Sequence, residues 1–263
     1  MLHTRDILIA GNWKMNMNVH DASLLVHQLH TQVKKHRHIE MVLAPTFLAL
    51  QPLSLQIDRR KFRLASQDGY AKDSGAFTGE VSFAQLHGLV HYSLVGHSER
   101  RIYANESLEQ IRDKVAAAYR HDIVPILCIG ETKHEREHGE TWRVLHEQLT
   151  SAISNLTSEQ VEELVIAYEP VWAISTFGGE LAKPSDVAVV IGFIREQIRE
   201  LYGSKAAKNV RVLYGGSVDD QIIRGYLEIP GVDGALVGGA SLHAHKFAGM
   251  VEAARRLQVE REG

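Results

Sequence analysis

A single cysteine, Cys128, stands in the 263 residues. No disulfide can form within the chain, and a reducing compartment fits. A basic excess is missing too. Lysine and arginine number 29 against 32 aspartates and glutamates, a formal net charge of −3, whereas a nucleic-acid binder shows a strong basic bias. An anionic ligand must therefore be caught by a local arrangement of groups, not by the field of the whole chain. No run of about 18 uncharged apolar residues occurs, so no segment is expected to span a membrane. Met1–Ala10 carries charges at Arg5 and Asp6 and has no signal-peptide apolar core, which leads to an expected cytoplasmic location. No Pro/Gly/Ser-rich linker divides the chain, and no sequence repeat stands out. What is present is ordinary. Hydrophobic residues make up 44% and charged residues 23%, enough for a sizeable core without staples. The length suits one large α/β unit.

Short apolar runs recur along the whole chain. Strands are expected at 6–14, 39–45, 62–68, 92–97, 124–130, 164–170, 210–216 and 234–240. Runs such as Val124-Pro-Ile-Leu-Cys-Ile129 are apolar on both faces, as strands covered by helices should be. Between them lie stretches of helical spacing: Leu108, Ile111, Val115 and Ala118, then Val187, Val190, Ile191, Ile194, Ile198 and Leu201. Ser107–Gln110 and Thr157–Gln160 read as capping boxes, and Pro184 as a first-turn proline. Eight strands alternating with helices imply parallel pairing with right-handed crossovers. An open doubly wound sheet would carry a glycine-rich fingerprint after its first strand. Here that strand ends in Asn12-Trp13-Lys14. The expected fold is α/β, a closed (β/α)8 barrel forming a single domain over residues 1–263.

In such a barrel the chemistry lies at the C-terminal ends of the strands. Polar residues gather there: Asn12 and Lys14 after the first strand, His97, Ser98 and Glu99 after the fourth, Glu169 after the sixth. Gly215-Gly216-Ser217 follows the seventh strand and Gly238-Gly239 the eighth. Paired glycine turns let backbone N–H groups approach a phosphate closely, and a following helix N-terminus adds partial positive charge. Lys14 brings a full charge. Glu169 can take a proton from carbon while His97 moves protons on oxygens. His97 leads into Ser98-Glu99-Arg100-Arg101, read as a helical first turn whose N–H groups disfavour imidazolium. Together these groups point to an isomerase of small sugar phosphates, with Glu169 as the base. Taken singly, Glu169 is only a glutamate before a proline, His97 one of 15 histidines, and Lys14 a solvated charge. Their convergence on one barrel face carries the reading.

At these same residues the chain resembles the triosephosphate isomerase family. The motifs are Gly11-Asn-Trp-Lys-Met-Asn16, Gly75-Ala-Phe-Thr-Gly-Glu80, Val95-Gly-His-Ser-Glu-Arg-Arg101, Pro125-Ile-Leu-Cys-Ile-Gly-Glu131, Ala167-Tyr-Glu-Pro-Val-Trp-Ala-Ile174, Tyr214-Gly-Gly-Ser-Val218 and Leu236-Val-Gly-Gly-Ala240. The resemblance runs from about residue 7 to residue 255. It implies interconversion of dihydroxyacetone phosphate and glyceraldehyde 3-phosphate through an enediolate, in glycolysis and gluconeogenesis. Glu169 would be the base and His97 the neutral electrophile, a pairing for which that family is itself the standard worked case. Lys14 would offset negative charge beside Asn12, and Glu99 would order the site. Ser175, Ser217, Gly238 and Gly239 would hold the phosphate through backbone N–H groups, and segment 167–182 would be a lid. No metal or organic cofactor is implied. A homodimer is, with the Phe77-Thr78 tip of the 75–80 loop inserted beside the partner copy's equivalents of Asn12 and Lys14.

Two departures from the family pattern stand out. The lid usually continues Ala-Ile-Gly-Thr-Gly-Lys, but here it reads Ala173-Ile-Ser-Thr-Phe-Gly-Gly-Glu180, which alters its trailing hinge. Ala104-Asn105-Glu106 stands where the family commonly has an aromatic and a glycine, a change expected to be structural. Three rival readings follow. The altered lid would suit an isomerase of a tetrulose or other short ketose phosphate. A catalytically silent phosphosugar-binding barrel would need the polar residues to be idle. His134-Glu-Arg-Glu-His138 spells the zinc-protease pattern, but it sits in a charge-rich loop instead of on a buried helix face with a third ligand. Cys128, inside an apolar strand, reads as core.

Overall fold

The computed structural model describes residues 6–262. Part of the Met1–Ala10 stretch and the ends of the expected domain lie outside them. Eight parallel strands close into a barrel in chain order: β1 (Ile7–Asn12), β2 (Ile39–Ala44), β3 (Arg63–Ser66), β4 (Tyr92–Val95), β5 (Val124–Ile129), β6 (Val165–Tyr168), β7 (Arg211–Tyr214) and β8 (Gly234–Val237). Closure is made by β8 on β1, with Leu8 opposite Gly234 and Gly11 opposite Val237. Gly234 takes φ +154°, and a Cβ there would fall 1.9 Å from the Leu8 carbonyl oxygen. Only glycine lets the last strand come this close to the first.

Alternation along each strand divides the apolar residues into two cores. Leu8, Ala10, Val42, Ala65, Leu94, Ile126, Cys128, Ala167, Leu213 and Leu236 fill the barrel. Ile7, Ile9, Met41, Leu43, Leu127, Ile129, Ile166, Val212 and Val237 face the helices outside it. Both sets are buried, which is why the strands show continuous apolar runs in place of a polar alternation. Each valine, leucine, isoleucine or methionine among them contributes roughly 1.5–3 kcal/mol on burial. The N-terminal mouth is closed by a polar knot. Arg211 donates to Glu40 at 2.6 Å and to the Tyr92 hydroxyl at 2.7 Å, and that hydroxyl donates to Glu40 at 2.9 Å. Burial pushes the Tyr92 phenol up to about 12.

The capping boxes form as expected, at Ser107 for the helix Leu108–Arg120 and at Thr157 for Ser158–Glu163. Pro184 opens the helix Pro184–Asn209. Two residues assigned to apolar helix faces do not bury: Leu108 is 37% and Leu201 51% exposed. Leu108 is the first residue of its helix, and Leu201 stands two residues before a break at Gly203 (φ +85°). All eight strands are also shorter than expected: each stops before its expected C-terminal end, and β1, β3, β6 and β7 also begin one residue later. No helix among the described residues is long and apolar enough to cross a membrane.

Candidate active site

Where the strands stop, the side chains that carry chemistry begin. Asn12 is the last residue of β1, and its side-chain oxygen accepts the Lys14 backbone N–H at 3.0 Å. That bond helps hold Lys14 at φ +51°, a left-handed conformation that lysine seldom takes. Gln67, just past β3, donates to the Lys14 carbonyl at 2.8 Å and to the Ala44 carbonyl at 2.9 Å. Gly96 (φ +70°) then turns the chain off β4. Arg101 fixes this turn by donating to the Gly96 carbonyl at 2.7 Å and to the Cys128 carbonyl at 2.9 Å. His97 follows as the N-cap of the helix Ser98–Tyr103.

The cap decides the form of the imidazole. His97 Nδ1 accepts the Glu99 backbone N–H at 3.2 Å, so it carries no proton. The ring bonded in this way has its hydrogen on Nε2. Nε2 lies 3.2 Å from Glu169 Oε1. The other oxygen of Glu169 accepts the Ser98 N–H at 3.1 Å. Glu169 is 2% and His97 6% exposed, so base and imidazole meet in a nearly dry pocket. Lys14 lines the same cleft, its Nζ 2.6 Å from Glu99 Oε1. Burial works to raise the Glu99 carboxyl, but the bonded Lys14 ammonium chiefly outweighs it, with a smaller part from Thr176, and the group is held below its usual value.

Asn12, Lys14, His97 and Glu169 line a cleft of about 610 Å³ together with Ser175, Ser217, Gly238 and Gly239, while Glu99 lines an adjoining one. Gly238 lies against Lys14, whose Cε would be 3.6 Å from a Cβ placed there. Ser175 is exposed at the head of a 3-10 turn, Ser175–Phe177, where its N–H has no partner within the turn. Ser217 is more constrained than expected. Its N–H is engaged by the Ala173 carbonyl at 3.0 Å, while its buried hydroxyl has no partner among the described residues. A buried polar atom of that kind marks a place for a ligand or water. Thr78 does not line this cleft; it lies on the exposed 75–80 loop.

Glu131 supports the site from outside the cleft, although the motif containing it offered no role. Wholly buried, it accepts from the Trp172 indole N–H at 2.9 Å and from the Tyr168 hydroxyl at 3.2 Å. Burial raises its carboxyl, against those donors. It thereby fixes the leading end of the lid, and a glutamate closing an apolar strand was the available signal. The trailing end has Gly178 (φ +149°) and Gly179 (φ +66°), conformations that call for the glycine pair in which the lid departs from the family pattern. Asn105 (φ +53°) likewise does the work of the family's glycine. The His134–His138 stretch is structural. The two rings stack 4.1 Å apart, and Glu135 caps the helix Lys133–Glu137 through Thr132. Among the described residues no three His, Cys, Asp or Glu side chains converge to hold a metal ion.

The profile of the family described as triosephosphate isomerase matches residues 7–254. The chain belongs to the triosephosphate isomerase family. Curated relatives of that name come from Clostridium beijerinckii, 43% identical over 94% of this chain and 99% of the relative, and Clostridium tetani, 42% identical over 94% and 96%. A third, from Clostridium perfringens, is 42% identical over 94% and 99%. The match to the triosephosphate isomerase profile thus spans the whole barrel, from β1 to the final helix, Ala244–Glu262.

Proposed function

We propose that this chain interconverts dihydroxyacetone phosphate and glyceraldehyde 3-phosphate. The observation that carries the reading is the Glu169–His97 pair, a buried carboxylate 3.2 Å from an imidazole nitrogen that bears the ring's proton. Glu169 removes a proton from the carbon beside the carbonyl, and the electron pair moves into an enediolate. His97 Nε2–H gives its proton to the carbonyl oxygen and recovers one from the neighbouring hydroxyl. Glu169 then returns its proton to the adjacent carbon, so the net change is isomerisation alone. Such acid–base help contributes about 10²–10⁴-fold per group. Lys14 offsets the charge that develops on oxygen, with Asn12 beside it and Glu99 holding it in place.

The phosphate is held by N–H groups of Ser175, Ser217, Gly238 and Gly239. Since the Ser217 N–H is bonded to Ala173 at the lid's leading end, giving it to the phosphate frees that carbonyl. Phosphate capture and lid movement are then linked steps. No residue role here requires a metal or an organic cofactor. A silent phosphosugar-binding barrel would have no use for the paired base and imidazole.

The same reading extends to a homodimer of single-domain, cytoplasmic subunits. A second cleft of about 530 Å³, lined by Lys14, Gln67, Glu99 and Tyr103, adjoins the first. Met15 (93% exposed) and Leu48 (81%) present apolar surface on the same side of the chain as this cleft's Phe47 and Lys14. Phe77, packed on Tyr70 at 4.7 Å, leads the exposed 75–80 loop that would fill that cleft in a second copy. Sedimentation at micromolar concentration should give a dimer, and Thr78→Arg a monomer; a wild-type monomer refutes this part.

The isomerase reading is tested by a coupled assay with glyceraldehyde 3-phosphate on wild type and Glu169→Gln. Turnover should fall by several orders of magnitude while inorganic phosphate binds as before. A small change in rate would end the assignment of the base.

A further inference from the structure

The tip of the lid rests on the helix Ser98–Tyr103 through two neighbouring residues. The Thr176 hydroxyl donates to Glu99 Oε1 at 3.2 Å and accepts from Lys14 Nζ at 3.3 Å. One residue on, the Phe177 ring stacks on Tyr103, with centroids 5.8 Å apart and planes inclined by 28°. Glu99 and Tyr103 are four residues apart, so they share one face of the helix, a turn from each other. Thr176 and Phe177 therefore seat on that face as a pair. The rest of the lid is tied elsewhere. Glu180 pairs with Lys133 at 2.6 Å, and the Ala182 carbonyl accepts from the Tyr226 hydroxyl at 2.8 Å.

Lys14 is the group on which these contacts bear. Its ammonium has three donors on a flexible four-carbon stem. Glu99 binds it at 2.6 Å, which fixes a distance but leaves the ammonium free to swing about that contact. A second acceptor restricts the swing. A hydroxyl suits the position, because it offers a lone pair to the ammonium and its one proton to the carboxylate. Lys14, Glu99 and Thr176 thus close a triangle of hydrogen bonds, two corners on the barrel and one on the lid.

We propose that Thr176 is a positioning residue for Lys14, and that the Phe177–Tyr103 stack is the anchor that delivers its hydroxyl. Seating of the lid and placement of the ammonium are then a single event. The proposal rests on the reading of Lys14 as the charge-bearing group of an isomerase site. It also gives the altered lid sequence a function: Phe177 docks the tip on the barrel and does not line the substrate cleft.

The test uses the full chain. Thr176→Val keeps the shape and removes the hydroxyl, and Thr176→Ser keeps the hydroxyl. Thr176→Val should lower kcat/KM for glyceraldehyde 3-phosphate by about fivefold, the size expected for one hydrogen bond. Thr176→Ser should recover at least about half of the wild-type value on the same scale. Phe177→Ala should cause a comparable loss. The double variant should lose no more than Phe177→Ala alone, because a hydroxyl without its anchor is no longer delivered. Hydrogen exchange of the lid amides in the ligand-free protein gives a readout independent of turnover, and Phe177→Ala should speed it several-fold. Wild-type kcat/KM in Thr176→Val, a Thr176→Ser variant as slow as Thr176→Val, or losses that multiply in the double variant would overturn the positioning role. Unchanged lid exchange in Phe177→Ala would overturn the anchor. A wild type without isomerase activity would instead refute the proposed function, and lid exchange would still decide the anchor.

Discussion

Replacing Gly215 by alanine tests how tightly the barrel holds its base. Gly215 lies outside the left-handed region, so alanine can adopt its backbone. The added Cβ, however, would stand 2.8 Å from Glu169 Cγ and 3.2 Å from the Tyr168 carbonyl oxygen. Ordinary contact begins near 3.4 Å, so Cγ must retreat by about 0.6 Å. The Tyr168 oxygen cannot make the room, because it accepts the Gly215 N–H at 2.8 Å. The retreat passes to a carboxylate held at 3.1 Å from Ser98 N–H and 3.2 Å from His97 Nε2. A misplacement of about 1 Å at a reacting group costs on the order of 10²-fold. A little over half that shift should cost roughly tenfold in kcat, about 1.4 kcal/mol of transition-state stabilisation. KM should change less than about threefold, because the groups assigned to the phosphate are not displaced directly. Overpacking should also lower stability by about 1–3 kcal/mol. Steady-state kinetics in the coupled assay, with a urea denaturation curve, read both effects. Gly192→Ala is the control, since a Cβ there meets nothing within 4 Å and should add about 0.5–1 kcal/mol of helix stability without touching kcat. A Gly215→Ala enzyme with kcat within about twofold of wild type would show that Glu169 is not held by this packing, or is not the base.

Other outcomes follow from the same geometry. Lys14→Ala should raise KM and lower kcat together, because the ammonium serves both the bound anion and the developing oxyanion; a change in KM alone would restrict Lys14 to binding. Lys114→Met should destabilise the fold by about 3–5 kcal/mol in denaturant titrations, since a buried pair that loses one partner leaves a bare charge. Lys114 Nζ is bonded to Asp68 at 2.7 Å and to Glu106 at 2.5 Å, and Arg100 alone would face both carboxylates. Glu99 is held below its usual value of 4.5. Its pair with Lys14 therefore contributes in full above that value and is lost as the pH falls through the lowered one. Glu99→Gln should flatten that part of the acid unfolding profile, and an unchanged profile would refute the link.

The barrel was legible because its signals are local. Apolar runs of strand length, capping boxes four residues long and a proline at a helix start each state their own structure without help from a distant residue. The residues of the candidate site were nominated for a related reason: the fold places chemistry at strand ends, so a polar residue after an apolar run has an address. The supports were not. Gln67 reaches back to Lys14 across 53 residues, and Glu131 meets Trp172 across 41. No pattern of one sequence reveals such partners. The engaged N–H of Ser217 escaped notice likewise, since whether a backbone donor is free depends on which carbonyl the folded chain brings beside it. Leu108 and Leu201 failed in the opposite sense, for periodicity records a face without recording where the neighbouring surface ends.

The two departures from the family pattern, far apart in sequence, are joined through one residue, Tyr103. Ala104 follows Tyr103 at the end of the helix Ser98–Tyr103, and Tyr103 is the residue on which Phe177 stacks. Where the family commonly places an aromatic residue on the barrel side, this chain has alanine, and an aromatic ring arrives from the lid. Asn105 preserves the left-handed turn that glycine usually makes, so the backbone there is maintained beside the Phe177–Tyr103 stack. The contact then holds only when the lid is seated, whereas a ring on the barrel would be present always. A lid carrying its own anchor needs a hinge free to bring it in, and the Gly178-Gly179 pair, both at positive φ, directly follows Phe177. Anchor and hinge are in this sense one change. Tyr103→Ala should therefore match Phe177→Ala in lid exchange and in kcat/KM, and a Tyr103→Ala enzyme indistinguishable from wild type would separate the two departures again.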